Sequence, residues 1–209
     1  MNKHRGLSIT FAVLTAGVLL AGCGVKSGDA GNIAPMSSQP PPFIPSSSGS
    51  APAGPAGSAP KVSNPVNPAS ILADACAALS PAQLSTLGME TGKPRTIGSG
   101  PTCSWDYADG SGNTVNISPI EANKNGLSDL YDQKAEQAYF EETTVSGYPA
   151  VYSDITDDRG RGECGLQIGV TDQLAVYVLT QLESGADVSK PCPVADKVGA
   201  AMVQTLKEG

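Results

Sequence analysis

Cys164-Gly165-Leu166-Gln167-Ile168-Gly169-Val170 and, three residues on, Leu174-Ala175-Val176-Tyr177-Val178-Leu179-Thr180-Gln181-Leu182 decide the fold of this chain. The first run alternates, which places Cys164, Leu166, Ile168 and Val170 on one face of a strand. The second run is apolar on both faces, as a strand in the middle of a sheet must be. Outward from this pair, Tyr139 to Val145 and Ala150 to Ile155 read as strands joined through Ser146-Gly147-Tyr148-Pro149. Further upstream, Thr102 to Tyr107 alternates with Cys103, Trp105 and Tyr107 on one side. Thr114 to Ile120 alternates with Val115 and Ile117 inward. The Gly-rich stretch from Ala108 to Asn113 closes these two into a hairpin.

Helices flank the strands. Ser80-Pro81-Ala82-Gln83 carries an N-cap, a proline at the first helical position and the glutamine of a capping box, and Gly88 ends the helix. A turn of helix from Ile71 to Leu79 precedes it. Leu127 to Ala135 presents Leu127, Leu130 and Tyr131 on one side. Val194, Val198, Ala201, Met202 and Leu206 form a helical stripe that begins just after Cys192. The expected domain, residues 69–209, is α+β. It has a largely antiparallel sheet of about six strands, helices packed on one face, and two disulfides.

Four cysteines fall in this domain: Cys76, Cys103, Cys164 and Cys192. An even number suits two disulfides in an oxidising compartment. Three pairings are possible. Cys76–Cys103 with Cys164–Cys192 is favoured, because each closes a loop of under thirty residues and joins a helix to a strand. Each bridge is worth roughly 3 kcal/mol through restriction of the unfolded chain. The spacings hold no paired CxxC knuckle, so no metal site is expected from them. Asp106, Asp109 and Asn113 invite a calcium-loop reading, but Ala108 and Gly110 stand where side-chain oxygens belong. A plain hairpin turn is expected there, and another polar turn at Asp157-Asp158-Arg159-Gly160.

The N-terminus carries a different signal. Lys3 and Arg5 precede an uncharged apolar run from Leu7 to Leu20, which fits a signal peptide and is short for a membrane span. Leu20-Ala21-Gly22-Cys23 then reads as a lipobox. Residues 1–22 are expected to be a lipoprotein signal peptide, with Cys23 lipidated as the new N-terminus. Residues 24–68 hold ten Pro, nine Ser, six Gly and six Ala among 45 positions. Such a composition does not offset its ordering entropy, so 23–68 is read as a lipidated, disordered tether spanning on the order of 35–40 Å. The expected location is the extracytoplasmic face of the cell membrane, held by lipid.

Function classes are excluded more readily than assigned. The domain carries nine Lys or Arg against nineteen Asp or Glu, so nucleic acid is not an expected partner. The only histidine, His4, departs with the signal peptide, and with it go Ser-His and Cys-His couples and His-ligated metals. No nucleophile elbow, Walker loop or dinucleotide fingerprint is present. No catalytic residue, metal or cofactor is therefore assigned.

Several residues together carry a family likeness: Ala75-Cys76-Ala77-Ala78-Leu79 with Ser80-Pro81 and Leu84, Cys103-Ser104-Trp105, Gly147-Tyr148-Pro149-Ala150, and then Cys164 and Cys192. With the lipobox and the Pro/Ser-rich tether, the chain resembles actinobacterial cell-envelope lipoproteins that carry a domain of unknown function. The resemblance spans roughly residues 72 to 207. It implies an envelope location, two intradomain disulfides and an α+β fold, and it brings no catalytic residues.

The expected function is a non-enzymatic module that binds a small ligand or an envelope protein outside the membrane. One alternative is a histidine-free hydrolase of wall glycans, which requires two carboxylates about 5–10 Å apart in one cleft. Another is a structural accessory of an envelope or secretion complex, which requires a partner-sized interface.

Overall fold

The structure, a computed structural model, describes residues 58–97 and 100–209. The expected signal peptide, Cys23 and most of the expected tether lie outside the described residues.

The strands are β1 (Lys93–Ile97), β2 (Gly100–Asp106), β3 (Thr114–Pro119), β4 (Tyr139–Val145), β5 (Tyr148–Asp154), β6 (Glu163–Thr171) and β7 (Leu174–Gln181). They form one antiparallel sheet in the order β1-β2-β3-β7-β6-β5-β4. Seven strands replace the expected six or so. The addition is β1, whose Lys-Pro-Arg-Thr-Ile sequence shows no apolar alternation because it lies at the sheet edge, where proline and charge are tolerated. β7 occupies the centre between β3 and β6, as its two-sided apolar pattern requires.

The helices are α1 (Ala69–Ala73), α2 (Pro81–Leu87), α3 (Leu127–Asp132) and α4 (Cys192–Glu208). The expected capping box forms at α2: Ser80 Oγ accepts from Gln83 N, and Gln83 Oε1 accepts from Ser80 N at 2.8 Å. Gln83 also donates to the Ala201 carbonyl at 2.8 Å, so the cap residue ties α2 to α4. The β4–β5 hairpin turns through Ser146 at φ 51° and Gly147 at φ 86°, the paired positive angles a two-residue hairpin requires.

The main core lies between α4 and the face of the sheet bearing Cys103, Trp105, Ile117, Leu166, Ile168 and Val178, all fully buried. Gly199 lets α4 approach closely, since a Cβ there would stand 2.6 Å from Ile168 Cδ1. α3 lies on the other face, which corrects the expectation of helices on one face only. A Cβ on Gly169, the strand neighbour of Ile168, would stand 3.0 Å from Leu127 Cδ1. Adjacent strand residues point to opposite faces, so α4 and α3 cover opposite sides. A smaller cluster of Leu127, Leu130, Val151 and Ala175 forms beneath α3. A helix's apolar stripe does not say which side of a sheet it meets.

The last part of the expected tether is held against the domain. Val62 N–H donates to Asp172 Oδ1 at 3.0 Å and Val66 N–H to the Val170 carbonyl at 3.2 Å. Tyr148 Oη donates to the Asn64 carbonyl at 2.7 Å, and Lys61 pairs with Asp172 at 3.3 Å. Composition misses this because a few backbone bonds and two valines suffice to anchor it. The Asp172 carboxyl is held below its ordinary range, first by the Val62 N–H bond and then by Lys61. A depressed carboxyl stabilises the folded state above the unfolded value of about 4, and that contribution is lost as pH falls through the folded value. Replacing Asp172 with alanine is expected to make Lys61 several-fold more susceptible to trypsin in the native protein; unchanged cleavage would mean the segment is held elsewhere.

Candidate functional site

The α3 side of the sheet is only partly covered by that short helix, and a cavity of about 450 Å³ remains beside it. This is a size that accommodates small ligands. Strands supply the floor: Ser118 from β3, Ser153 from β5, Gln167 from β6 and Tyr177 from β7. Ile120, Leu130 and Ile155 supply apolar walls, and Gln133 and Gln137 supply amides from the segment after α3. Ile155 is 73% exposed, the most exposed large apolar side chain among the described residues.

The β5–β6 ladder ends beside this cavity. β5 and β6 pair from Ala150 and Ile168 to Tyr152 and Leu166, where the regular pairing stops. Side chains replace the ladder beyond that point. Gly165 N–H donates to Tyr139 Oη at 2.9 Å, Gln167 Nε2 donates to Ser153 Oγ at 3.1 Å, and Tyr177 Oη donates to Asp154 Oδ2 at 2.6 Å. Glycine is required at 165, because a Cβ would stand 2.6 Å from the Ser153 carbonyl oxygen and 2.8 Å from Tyr177 Oη. Burial, reinforced by the bond to Asp154, raises the Tyr177 hydroxyl well above its ordinary range. Tyr177 therefore stays protonated, with its hydrogen committed to Asp154.

The loop that carries Ile155 is pinned from beneath. Arg159 bonds Asp157 at 2.8 Å and Glu141 at 2.7 Å, and its guanidinium lies 4.1 Å from the centre of the Tyr139 ring. Arg161 pairs with Asp158 in the same loop. Asp157 to Gly160 is thus an ion-paired turn. The Asp109 turn is hydrogen-bonded in a similar way: Asp109 Oδ1 accepts from Ser111 N, while Asn113 Oδ1 accepts from the Glu183 and Ser184 N–H groups. Among the described residues no group of three or more His, Cys, Asp or Glu side chains is placed to hold a metal ion.

Cys76 is bonded to Cys103 and Cys164 to Cys192, joining the turn after α1 to β2 and the start of α4 to β6. A Cβ on Gly92 would stand 2.5 Å from Cys103 Sγ and 2.6 Å from Trp105 Nε1, so sulfur and indole pack together where that side chain is missing. None of these cysteines lines the cavity beside α3. Cys23 lies outside the described residues.

Sequence reasoning missed the floor residues. Their only signal was polar side chains, Gln167 and Ser153 above all, inside strands that are otherwise buried. Chemically the floor offers hydroxyls and amides: Ser118 bonds Thr102, Ser153 accepts from Gln167, and only the weakly acidic Tyr177 hydroxyl meets a carboxylate. Two carboxyls line the same cavity, Glu121 and Asp154. Asp154 already accepts from Tyr177 on one oxygen and from the Ile155 N–H on the other.

No curated protein and no solved structure matches the chain. The family described as "Protein of unknown function (DUF3558)" matches residues 18–205. The chain belongs to that family.

Proposed function

We propose that this protein is a lipid-anchored, extracytoplasmic binding module that holds a small, partly apolar ligand in the cavity beside α3. The observation that carries the reading is the cavity itself: apolar walls over a hydroxyl and amide floor, with exposed Ile155 at its rim. A fixed floor built on strands, with few polar groups among apolar ones, suits recognition. Anchoring rests on the lipobox, with Cys23 as the acylated residue. The Cys23→Ala variant is expected to appear in the soluble rather than the membrane fraction of the producing cells; retention in membranes would contradict the anchor.

Binding is tested with the full chain and a fluorescent apolar probe such as N-phenylnaphthylamine. Losing about half of an isoleucine's burial costs about 1 kcal/mol, or roughly five-fold in affinity. Ile155→Asp should therefore weaken probe binding about five-fold without lowering the melting temperature, because Ile155 supports no core. Equal binding by both proteins would place the apolar site elsewhere.

The presence of Glu121 and Asp154 in one cavity favours a second reading, a carboxylate-pair hydrolase. That mechanism needs one acid free to give up a proton and the other free to attack or to activate water. Both Asp154 oxygens are engaged in hydrogen bonds, which favours binding over hydrolysis.

A further inference from the structure

We infer that the ligand of this cavity is an uncharged amphiphile, with an apolar body and a polar end carrying hydroxyl or amide groups. This rests on the binding reading above and adds a charge rule to it. Among the described residues, the lining contains no Lys, Arg or His and two carboxyls, Glu121 and Asp154. The closest cation along the chain to the glutamine wall, Lys134, is engaged elsewhere: its ammonium stands 4.6 Å from the centre of the Phe140 ring and 4.0 Å from Glu142. An anionic group entering the cavity would lose water, meet two like charges and find no cation among the lining residues.

A cationic group fares little better. Asp154 is satisfied by Tyr177 and by a backbone N–H, and Glu121 is exposed at the rim, where water screens it. What the cavity offers without penalty is neutral hydrogen bonding. Gln133 and Gln137 can each donate and accept, although Gln133 already gives Nε2 to the Asp129 carbonyl. The apolar body meets Ile120, Leu130 and Ile155.

The test uses the full-length chain and three alkyl probes of similar chain length, each below its micelle concentration: nonyl glucoside, decyltrimethylammonium and decyl sulfate. Competition against the fluorescent probe should rank the glucoside tightest and the sulfate at least ten-fold weaker. A charged probe that binds as tightly as the glucoside overturns the charge rule, while the cavity remains a binding site. If none of the three displaces the fluorescent probe, the binding reading fails, and the charge rule with it.

Discussion

Gly162→Ala is expected to destabilise the domain by about 3–5 kcal/mol, enough to leave a large unfolded fraction in a protein of ordinary stability. Gly162 has φ 95°, and a Cβ there would overlap the Leu182 carbonyl oxygen and stand 2.9 Å from its carbon. The obstacle is backbone at the end of β7, held in turn by the Leu182 N–H bond to the Gly162 carbonyl at 2.9 Å. It cannot swing aside as a side chain would. Gly147 is the matched control: its φ is 86°, but a Cβ there has nothing within 4 Å. Gly147→Ala should cost only the strain of a left-handed alanine, about 1–2 kcal/mol. Urea unfolding of both variants separates the two causes. Equal midpoints would show that conformation, not the close approach to Leu182, governs position 162.

The second large effect concerns the crosslinks. Cys76–Cys103 spans 27 residues and Cys164–Cys192 spans 28, so loop-closure entropy assigns them the same worth, roughly 3.5 kcal/mol each. Paired Cys→Ala substitutions should each lower the melting temperature by roughly 7–14 °C in a domain of this size. Any difference between the pairs then reports native packing. Each bridge joins one fully buried cysteine, Cys103 or Cys164, to a half-buried one, Cys76 or Cys192, but only Cys76–Cys103 has its sulfur packed beside fully buried Trp105. The Cys76–Cys103 pair should therefore be the more damaging. A smaller loss there than at Cys164–Cys192 would contradict the packing argument.

What the sequence reveals of this fold follows from how local each feature is. Alternation along Cys164 to Val170 and the two-sided run after it predict β6 and central β7, because strand period and burial are written residue by residue. The α2 cap is equally local, since Ser80 and Gln83 bond each other. β1 is not legible: an edge strand with Pro94 between Lys93 and Arg95 gains its structure from pairing with β2. The side on which α3 packs is decided by distant partners, Gly169 and Val151, that no local pattern names. The cavity is hidden for the same reason. Ser118, Ser153, Gln167 and Tyr177 come from four strands, and the close approach of Ser153 and Tyr177 depends on Gly165, which looks like any strand glycine.

Photolabelling would locate the ligand on the protein. A neutral alkyl glucoside bearing a diazirine would be crosslinked to the full-length protein and the labelled peptides mapped. Labels should fall on residues 118–123, 130–137 and 153–155, which line the cavity beside α3, and unlabelled nonyl glucoside should compete them away. Labelling concentrated instead on residues 82–87 and 197–207, which line a second groove between α2 and α4, would contradict it.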